Sequence, residues 1–315
     1  MGIVISADEV QAMAPESTKF LVEHYIARDG ITLFHGKFGT WKTPVSVHIA
    51  KAICTGQELW GLQVEKATPV LYLEADSSKR AILDRIQSIG VGGIDMDFAF
   101  CFPGTDLVDP QAGSPSGNNY QELWNAHRER GYKFVVVDAL KRITHRRLVD
   151  DDTPGRVYSA LCALFCDAAI LLIHHDKKTR LIERGQHPSK QDLKELSAEA
   201  FLGSQGWIDS ATVSVHSKPT GSNELSLIHT KSQAGEQQHP LRLTMIDGGT
   251  TIETQPTDDD DVGLQGLIDR SFSNGLPPAQ VDRIIAEYLG VSARTARRKR
   301  KSLLSTSVAK PGPLN

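Results

Sequence analysis

An α/β core built on a mostly parallel sheet, followed by a small helical module, is the architecture this sequence predicts. Three observations predict it. Between Gly30 and Met245, short β-rich apolar runs alternate with longer helical patterns, the signature of a parallel sheet covered by helices. An early strand-to-helix junction carries glycines and closes on the pair Lys42-Thr43. Beyond the acidic run Asp258 to Asp261, the chain turns basic.

ITLFHG, PVLYLEAD, FAFCF, KFVVVDAL and AAILLIHHD are the strand candidates of the core, each short, apolar and closed by polar or turn residues. Strands buried on both faces should read this way. Pro44 to Thr55, Ser78 to Gly90, Asn118 to Gly131 and Pro154 to Asp167 carry helix-like spacing with plausible caps. After Gly203 come SATVSVHS, ELSLIHTK, HPLRLTMID and TTIETQ, which are expected to extend the sheet with antiparallel strands. The predicted organisation is a core domain over residues 1–255, an acidic linker over 256–262 and a second domain over 263–315.

Composition narrows the classes of function. At 315 residues the chain can form one large domain and a small one, at roughly 150 residues per domain. No apolar run approaches the ~18 residues a membrane span needs. The start MGIVISADEVQ lacks the features of a secretory signal, so the expected compartment is the cytoplasm. Cys54, Cys101, Cys162 and Cys166 are scattered. They suit a reducing compartment, and Cys162 and Cys166, four apart on a helical pattern with nothing to complete a zinc set, are expected to be core residues. A net charge of −3 conceals an asymmetry, because from Val262 onward nine Lys or Arg face three acids. The two parts should meet different partners.

Chemistry concentrates first at Gly36-Lys37-Phe38-Gly39-Thr40-Trp41-Lys42-Thr43, between a strand and an apolar helix. That is the context a phosphate-binding loop requires. Gly36 and Gly39 would let the backbone curl so that N–H groups and the helix N-terminus face phosphates. Lys42 would reach the β- and γ-phosphates of ATP, Thr43 would ligate Mg²⁺, and Pro44 suits the first helical turn. Trp41 stands where the G-x-x-x-x-G-K-[ST] pattern has its second glycine, so the loop is expected to take a backbone path compatible with a side chain. The alternative reading is a β-turn-helix with an incidental Lys-Thr pair.

Three strand ends accompany the loop. KFVVVDAL places Asp138 at the carboxyl edge of a parallel sheet, where it would hold Mg²⁺; a helix or turn cap is the other reading. PVLYLEAD ends in Glu74 and Asp76, which share one face by alternation, so either could orient the water that attacks ATP. Asp76, nearer the end, is the first candidate, and capping of the next helix is its alternative. AAILLIHHDKK brings His174 and His175 to the same edge, where one could sense the γ-phosphate. Zinc is disfavoured because adjacent strand residues point to opposite faces.

This ordered set, GKFGTWKT, YLEADSS…DRI, VVVDAL, LLIHHDKK, FLGSQGWIDSA and LSLIHTKSQAGE, resembles the RepA-like branch of the RecA-fold ATPases. These are hexameric plasmid and phage replicative helicases related to the DnaB motor domain, and the resemblance covers about Thr32 to Thr251. It implies a RecA-like P-loop core with Lys42 and Thr43 on the nucleotide, Asp76 at the place of the family's catalytic glutamate, Asp138 as Walker B acid and His175 as sensor. It further implies a homo-oligomeric ring, ATP at subunit interfaces, and single-stranded DNA in a central channel. Gly203, Ser204 and Gln205 match a segment following a loop, here about Thr179 to Ala198, that faces the channel. Lys177, Lys178, Arg180, Arg184, Lys190 and Lys194 make that region basic, as phosphate contact would require; a solvated basic loop is the alternative. Two departures stand out. Asp76 is one methylene shorter than glutamate, and no clear arginine finger is present: Thr212 and Gln233 occupy candidate positions, with Lys231 able to act on a neighbouring subunit's nucleotide.

The tail PPAQVDRIIAEYLGVSARTARRKRKSLL reads as two helices joined at Leu289 to Ser292, and resembles a helix-turn-helix of the winged type. Ile284, Ile285, Leu289, Val291, Ala296 and Leu303 form its expected core. Its second helix is expected to expose Arg294, Arg297, Arg298, Lys299, Arg300 and Lys301, with Thr295 in its first turn, and to enter a major groove of duplex DNA. A basic protein-docking surface is the alternative. The functional readings are an ATP-driven DNA motor of a mobile element, an ATP-switched DNA-bound regulator or loader, and a small-molecule kinase, against which the basic tail weighs. Groove binding predicts that the affinity of the tail for duplex DNA falls steeply with ionic strength. A salt titration by fluorescence anisotropy checks this, and a nearly flat response excludes phosphate contact.

Overall fold

The computed structural model describes residues 6–7, 19–101, 105–176, 206–235, 238, 240–254, 268, 271, 276–289, 294, 296–298 and 300–301. The chain divides into two units, Met1–Thr254 and Gln255–Asn315. The predicted linker over 256–262 lies outside the described residues.

The first unit is an α/β domain of RecA-like fold. In chain order its elements are β1 (Phe20–Val22), β2 (Ile26–Ala27), β3 (Ile31–Gly36), α1 (Lys42–Thr55), β4 (Val70–Glu74), α2 (Lys79–Ile89), β5 (Met96–Phe100), α3 (Pro115–Arg130), β6 (Phe134–Asp138), α4 (Thr153–Leu164), β7 (Ala169–His175), α5 (Gly206–Ser210), β8 (Val213–Pro219), β9 (Glu224–Ser232), β10 (Leu241–Ile246) and β11 (Thr251–Thr254). Nine strands form one sheet in the order β11-β10-β9-β8-β3-β7-β6-β4-β5. The run from β8 to β5 is parallel, whereas β9, β10 and β11 are antiparallel. One of the four late strands therefore departs from expectation: β8 lies parallel to β3, which requires the chain to return to the starting edge of the sheet between β7 and β8.

The apolar strands are buried on both faces, as their unbroken hydrophobicity requires. Val70, Tyr72, Phe134, Val136, Leu171 and Ile173 meet α1 and α2 on one side. Leu71, Leu73, Val135, Val137, Ile170 and Leu172 meet α4 and Trp207 on the other. Each fully buried aliphatic side chain of this kind contributes about 1.5–3 kcal/mol, which makes the sheet a rigid platform for the residues at its carboxyl edge. The small antiparallel pair β1 and β2 covers α1 with Leu21, Val22 and Tyr25. Strands of three and two residues are too short to declare a period, so this pair has no signature in the sequence. Cys162 and Cys166, expected in the core, are exposed, and only Cys54 and Cys101 are buried.

In the second unit, a helix (α6) spans Pro278–Leu289, and Arg294, Arg297, Arg298 and Lys301 are helical and exposed. Ile285 and Ala296 are buried as the pattern predicts, joined by Ile268 and Val281. Arg300 differs from expectation. It is 8% exposed and its guanidinium pairs with Asp282 at 2.6 and 3.4 Å, so this cation neutralises a buried carboxylate inside the unit and does not reach for phosphate. Thr295 and Lys299 lie outside the described residues.

His229 on β9 is buried with neither ring nitrogen hydrogen-bonded, its ring edge-on to Tyr25 at 4.6 Å. Burial, assisted by His24, pulls it down to about 4. The unfolded chain therefore binds a proton that the folded chain refuses, and stability falls as pH drops from the ordinary imidazole range through 4. His229→Leu should raise stability by about 1 kcal/mol at pH 7 by removing unsatisfied polar atoms. The gain should widen by a further ~2 kcal/mol by pH 5. Urea unfolding of the two proteins at both pH values checks the prediction.

Candidate functional site

Parallel register brings the carboxyl ends of β3, β4, β6 and β7 together, with Glu74 opposite Asp138 and Gly36 opposite His175. The loop leaving β3 enters α1 directly. Gly36 admits no side chain: a Cβ there would meet Ser217 O at 2.6 Å and Thr40 Oγ1 at 2.9 Å. Gly39 turns at φ 78° in open space. Trp41 precedes the helix at φ 56°, ψ 18°. The expectation that its bulk would force another backbone path is therefore wrong, since the loop keeps the left-handed geometry of the missing glycine and carries a tryptophan in it. Such a conformation costs a non-glycine residue about 1–2 kcal/mol. The indole offsets that cost by packing on the core cluster that contains α1 and beside Gly249, where a Cβ would lie 3.4 Å from Trp41 Cε3 and 2.9 Å from Pro44 Cβ.

Lys42 is folded onto its own loop. Its ammonium donates to Gly36 O at 2.9 Å, Lys37 O at 2.6 Å and Thr40 Oγ1 at 3.2 Å. Burial pulls it down to about 8 against the opposing influence of Asp176, Asp138 and Asp76. Thr40 also donates to Lys37 O, and Ser217 on β8 donates to Thr40 O. Phe38, 78% exposed, stands at the loop's tip with its ring 6.0 Å from that of His175.

Asp138 is the buried link between loop and sheet. One of its oxygens accepts from Thr43 Oγ1 at 2.7 Å and from the Tyr72 hydroxyl at 2.9 Å, and Ser46 of α1 lies 2.8 Å from that hydroxyl. Burial pushes both Asp138 and Glu74 up, and the neighbouring Asp138 adds to the rise at Glu74. Glu74 turns one oxygen to the backbone N–H groups of Asp76 and Ser77 at 2.8 and 2.7 Å, and its other oxygen is buried without a hydrogen-bond partner. Two buried carboxyls, one with an orphaned oxygen, beside a threonine hydroxyl form a donor set that suits a hard, oxygen-ligated cation such as Mg²⁺.

Asp76 extends beyond β4 and is held by Arg142 at 3.0 Å and His175 Nε2 at 3.3 Å. These contacts, His175 foremost, hold its carboxyl down at about 2. His174 points the other way into the core against Trp207, at 5.8 Å between rings. Sequence thus locates Glu74, Asp76, Asp138 and His175 at one edge, and the structure divides their tasks: Glu74 ties down its own chain, while Asp76 faces solvent and His175. Lys231, placed by sequence near a neighbouring subunit's nucleotide, donates to Asp209 O of its own chain. Lys177, Lys178 and Arg180 lie outside the described residues. Tyr72 and Arg142 escaped the sequence reading, although a lone hydroxyl in an aliphatic strand and a cation just past Asp138 were visible signals.

Fold and site together define a P-loop ATPase domain of RecA-like architecture. The AAA domain (AAA_25) family model matches residues 4–180, more than half of the chain, and the protein belongs to that family. Among solved structures, the ATPase domain of another protein is similar in fold, with a TM-score of 0.51 and 11% identity, covering 79% of this chain and 95% of that one. No curated protein matches the sequence.

Trp41→Gly exchanges the packing of a half-buried indole for a relaxed backbone. Lost contacts of about 2–3 kcal/mol outweigh the relieved strain, so the variant should be less stable by about 1–2 kcal/mol. Denaturant unfolding measures the difference, and a variant as stable as the parent would show that the indole packing contributes nothing.

Proposed function

We propose that this protein is an ATP-dependent DNA motor of the replicative-helicase type, serving a plasmid, phage or other mobile element and hydrolysing ATP at the interfaces of a homo-oligomeric ring, a hexamer in the manner of the RepA-like proteins it resembles. The observation that supports it most is the 2.7 Å bond from Thr43 to Asp138, which joins the start of α1 to the end of β6 where a nucleotide's phosphates and cation would lie. In this reading Lys42 exchanges Gly36 O and Lys37 O for the β- and γ-phosphates, and the amides of residues 37–43 face the same groups. Thr43 and Asp138 hold Mg²⁺, which when bound would neutralise charge on the transferring phosphate. Asp76 orients the attacking water and accepts its proton, for which it must loosen its hold on Arg142 and His175. His175, linked to Asp76 and beside Phe38, reports whether the γ-phosphate is present. Exposed Arg294, Arg297, Arg298 and Lys301 are the duplex contacts of the second unit, and the segment with Lys177, Lys178 and Arg180 meets single-stranded DNA.

A second reading, an ATP-switched DNA-binding regulator or loader without unwinding, draws support from Asp76 itself. A carboxyl held at about 2 by His175 and Arg142 is a weak base, which favours occupancy over turnover. Size analysis with and without ATP and DNA, followed by strand displacement, separates the two. The motor reading expects an ATP-dependent ring that unwinds DNA, with unwinding reduced at least ~100-fold in Lys42→Ala through loss of the phosphate contact. A monomer or dimer that binds ATP and duplex DNA yet displaces no strand would overturn it in favour of the switch.

A further inference from the structure

Three side chains from three neighbouring strands meet beneath the phosphate loop and have no part in the chemistry above. His35 is the penultimate residue of β3, His216 stands opposite it on β8, and Asp176 follows the last residue of β7. His35 Nδ1 lies 3.0 Å from Asp176 Oδ1, and His216 Nε2 lies 3.2 Å from Asp176 Oδ2. The His35 and Asp176 side chains are 5% and 7% exposed and that of His216 18%. Among the described residues this is the group whose potential metal-ligand atoms all lie within 4.8 Å of one another.

The surrounding hydrogen bonds decide what should occupy the centre. Thr230 on β9 directs its hydroxyl proton to Ser214, at 2.8 Å from Oγ and 3.2 Å from O. In the tautomer that keeps the proton on His35 Nε2, the Thr230 oxygen accepts from that nitrogen, 3.4 Å away. A proton held on Nε2 leaves Nδ1 with a lone pair directed at a carboxylate oxygen, and two lone pairs in a buried site repel unless a positive charge lies between them. A second proton would create a buried imidazolium. A divalent ion supplies the charge and satisfies all three groups together. An imidazole whose far N–H is oriented by a hydroxyl is the usual outer-shell arrangement of a metal ligand. Two imidazoles and a carboxylate suit ions of the zinc type. Bonds of about 2.0–2.1 Å place tetrahedral ligands about 3.3 Å apart; the observed 3.0 and 3.2 Å separations run to Oδ1 and Oδ2 respectively, so the carboxylate offers one oxygen to each imidazole. The rings are stacked at 4.8 Å with 10° between planes, so the more exposed His216 ring must turn to aim at the shared point.

We propose that His35, Asp176 and His216 form a zinc-type metal site, with water as fourth ligand, that ties β3, β7 and β8 together at the root of the phosphate loop. The Asp176 N–H donates to Gly36 O at 3.0 Å, the same carbonyl that holds Lys42. The site therefore braces the point where the loop leaves the sheet, and it stands whether or not the protein proves to be a DNA motor.

Metal-stripped full-length protein, without nucleotide or magnesium, is titrated with Zn²⁺ against a chromogenic chelator, and Co²⁺ serves as the spectroscopic probe. One Zn²⁺ per chain with micromolar or tighter affinity is expected, together with visible Co²⁺ bands of a four- or five-coordinate site. His216→Ala and Asp176→Asn should each lower affinity at least ~100-fold, and Thr230→Val, which removes the hydroxyl beside His35 and leaves the three ligands in place, about tenfold. Asp138→Asn should leave Zn²⁺ affinity unchanged, which separates this site from the magnesium site. Circular dichroism confirms that each variant is folded, and should His216→Ala fail to fold, Thr230→Val and the Co²⁺ spectrum carry the test. Zinc binding that is indifferent to His216→Ala and Asp176→Asn would place the ion elsewhere and overturn the proposal. So would absence of zinc binding with a shared-proton titration of the two histidines seen by NMR.

Discussion

A buried carboxylate at the end of a central strand organises the nucleotide site. Asp138 lies in an environment that disfavours its charge, and it is tolerable there because Thr43 and Tyr72 both donate to it. One donor comes from the helix that follows the phosphate loop and the other from the adjacent strand β4. Meeting the hydrogen-bonding needs of that single group therefore fixes α1 against the sheet and sets the position of every loop atom relative to β6. Removing either donor would leave the carboxylate partly unsatisfied, and the penalty would appear as movement of the loop as well as lost stability.

The order of strands extends this arrangement outward. Because β7 lies between β3 and β6, His175 comes to the same edge as Asp76 although 99 residues separate them in the chain. Sheet topology does here what no local motif can, gathering groups from four strand ends above a packed core. The same topology brings β8 to the other side of β3, where Ser217 grips Thr40 and His216 approaches Asp176. The loop is thus restrained on one side by the groups assigned to catalysis and on the other by groups with no catalytic part.

Much of the fold was legible in the sequence because buried parallel strands are nearly continuous in hydrophobicity. ITLFHG and the apolar middle of KFVVVDAL correspond to β3 and β6. Direction was harder to read. β8 alternates like its antiparallel successors, yet it pairs parallel to β3, and alternation carries no signal of strand direction. The β1–β2 pair left no pattern because it is held by long-range packing on α1. At the site, residue types announced Lys42, Thr43 and Asp138, while partnerships stayed hidden. No spacing rule joins Asp76 to Arg142 or Arg300 to Asp282, and the dense basic run between Arg294 and Lys301 gives no sign that one of its cations is committed to a buried carboxylate.

Trp41 carries a consequence beyond its backbone angle. Its indole and Pro44 lie against Gly249, in the turn between β10 and β11, and His48 of α1 reaches the same glycine's carbonyl at 3.3 Å. The two outermost strands on this side of the sheet are far from β6 in the strand order, yet the turn that joins them presses on the first helical turn after the phosphate loop. A neighbouring molecule that grips this edge would hold a lever whose short arm ends at the nucleotide, so that occupancy at one end and contact at the other can be read by the same few atoms.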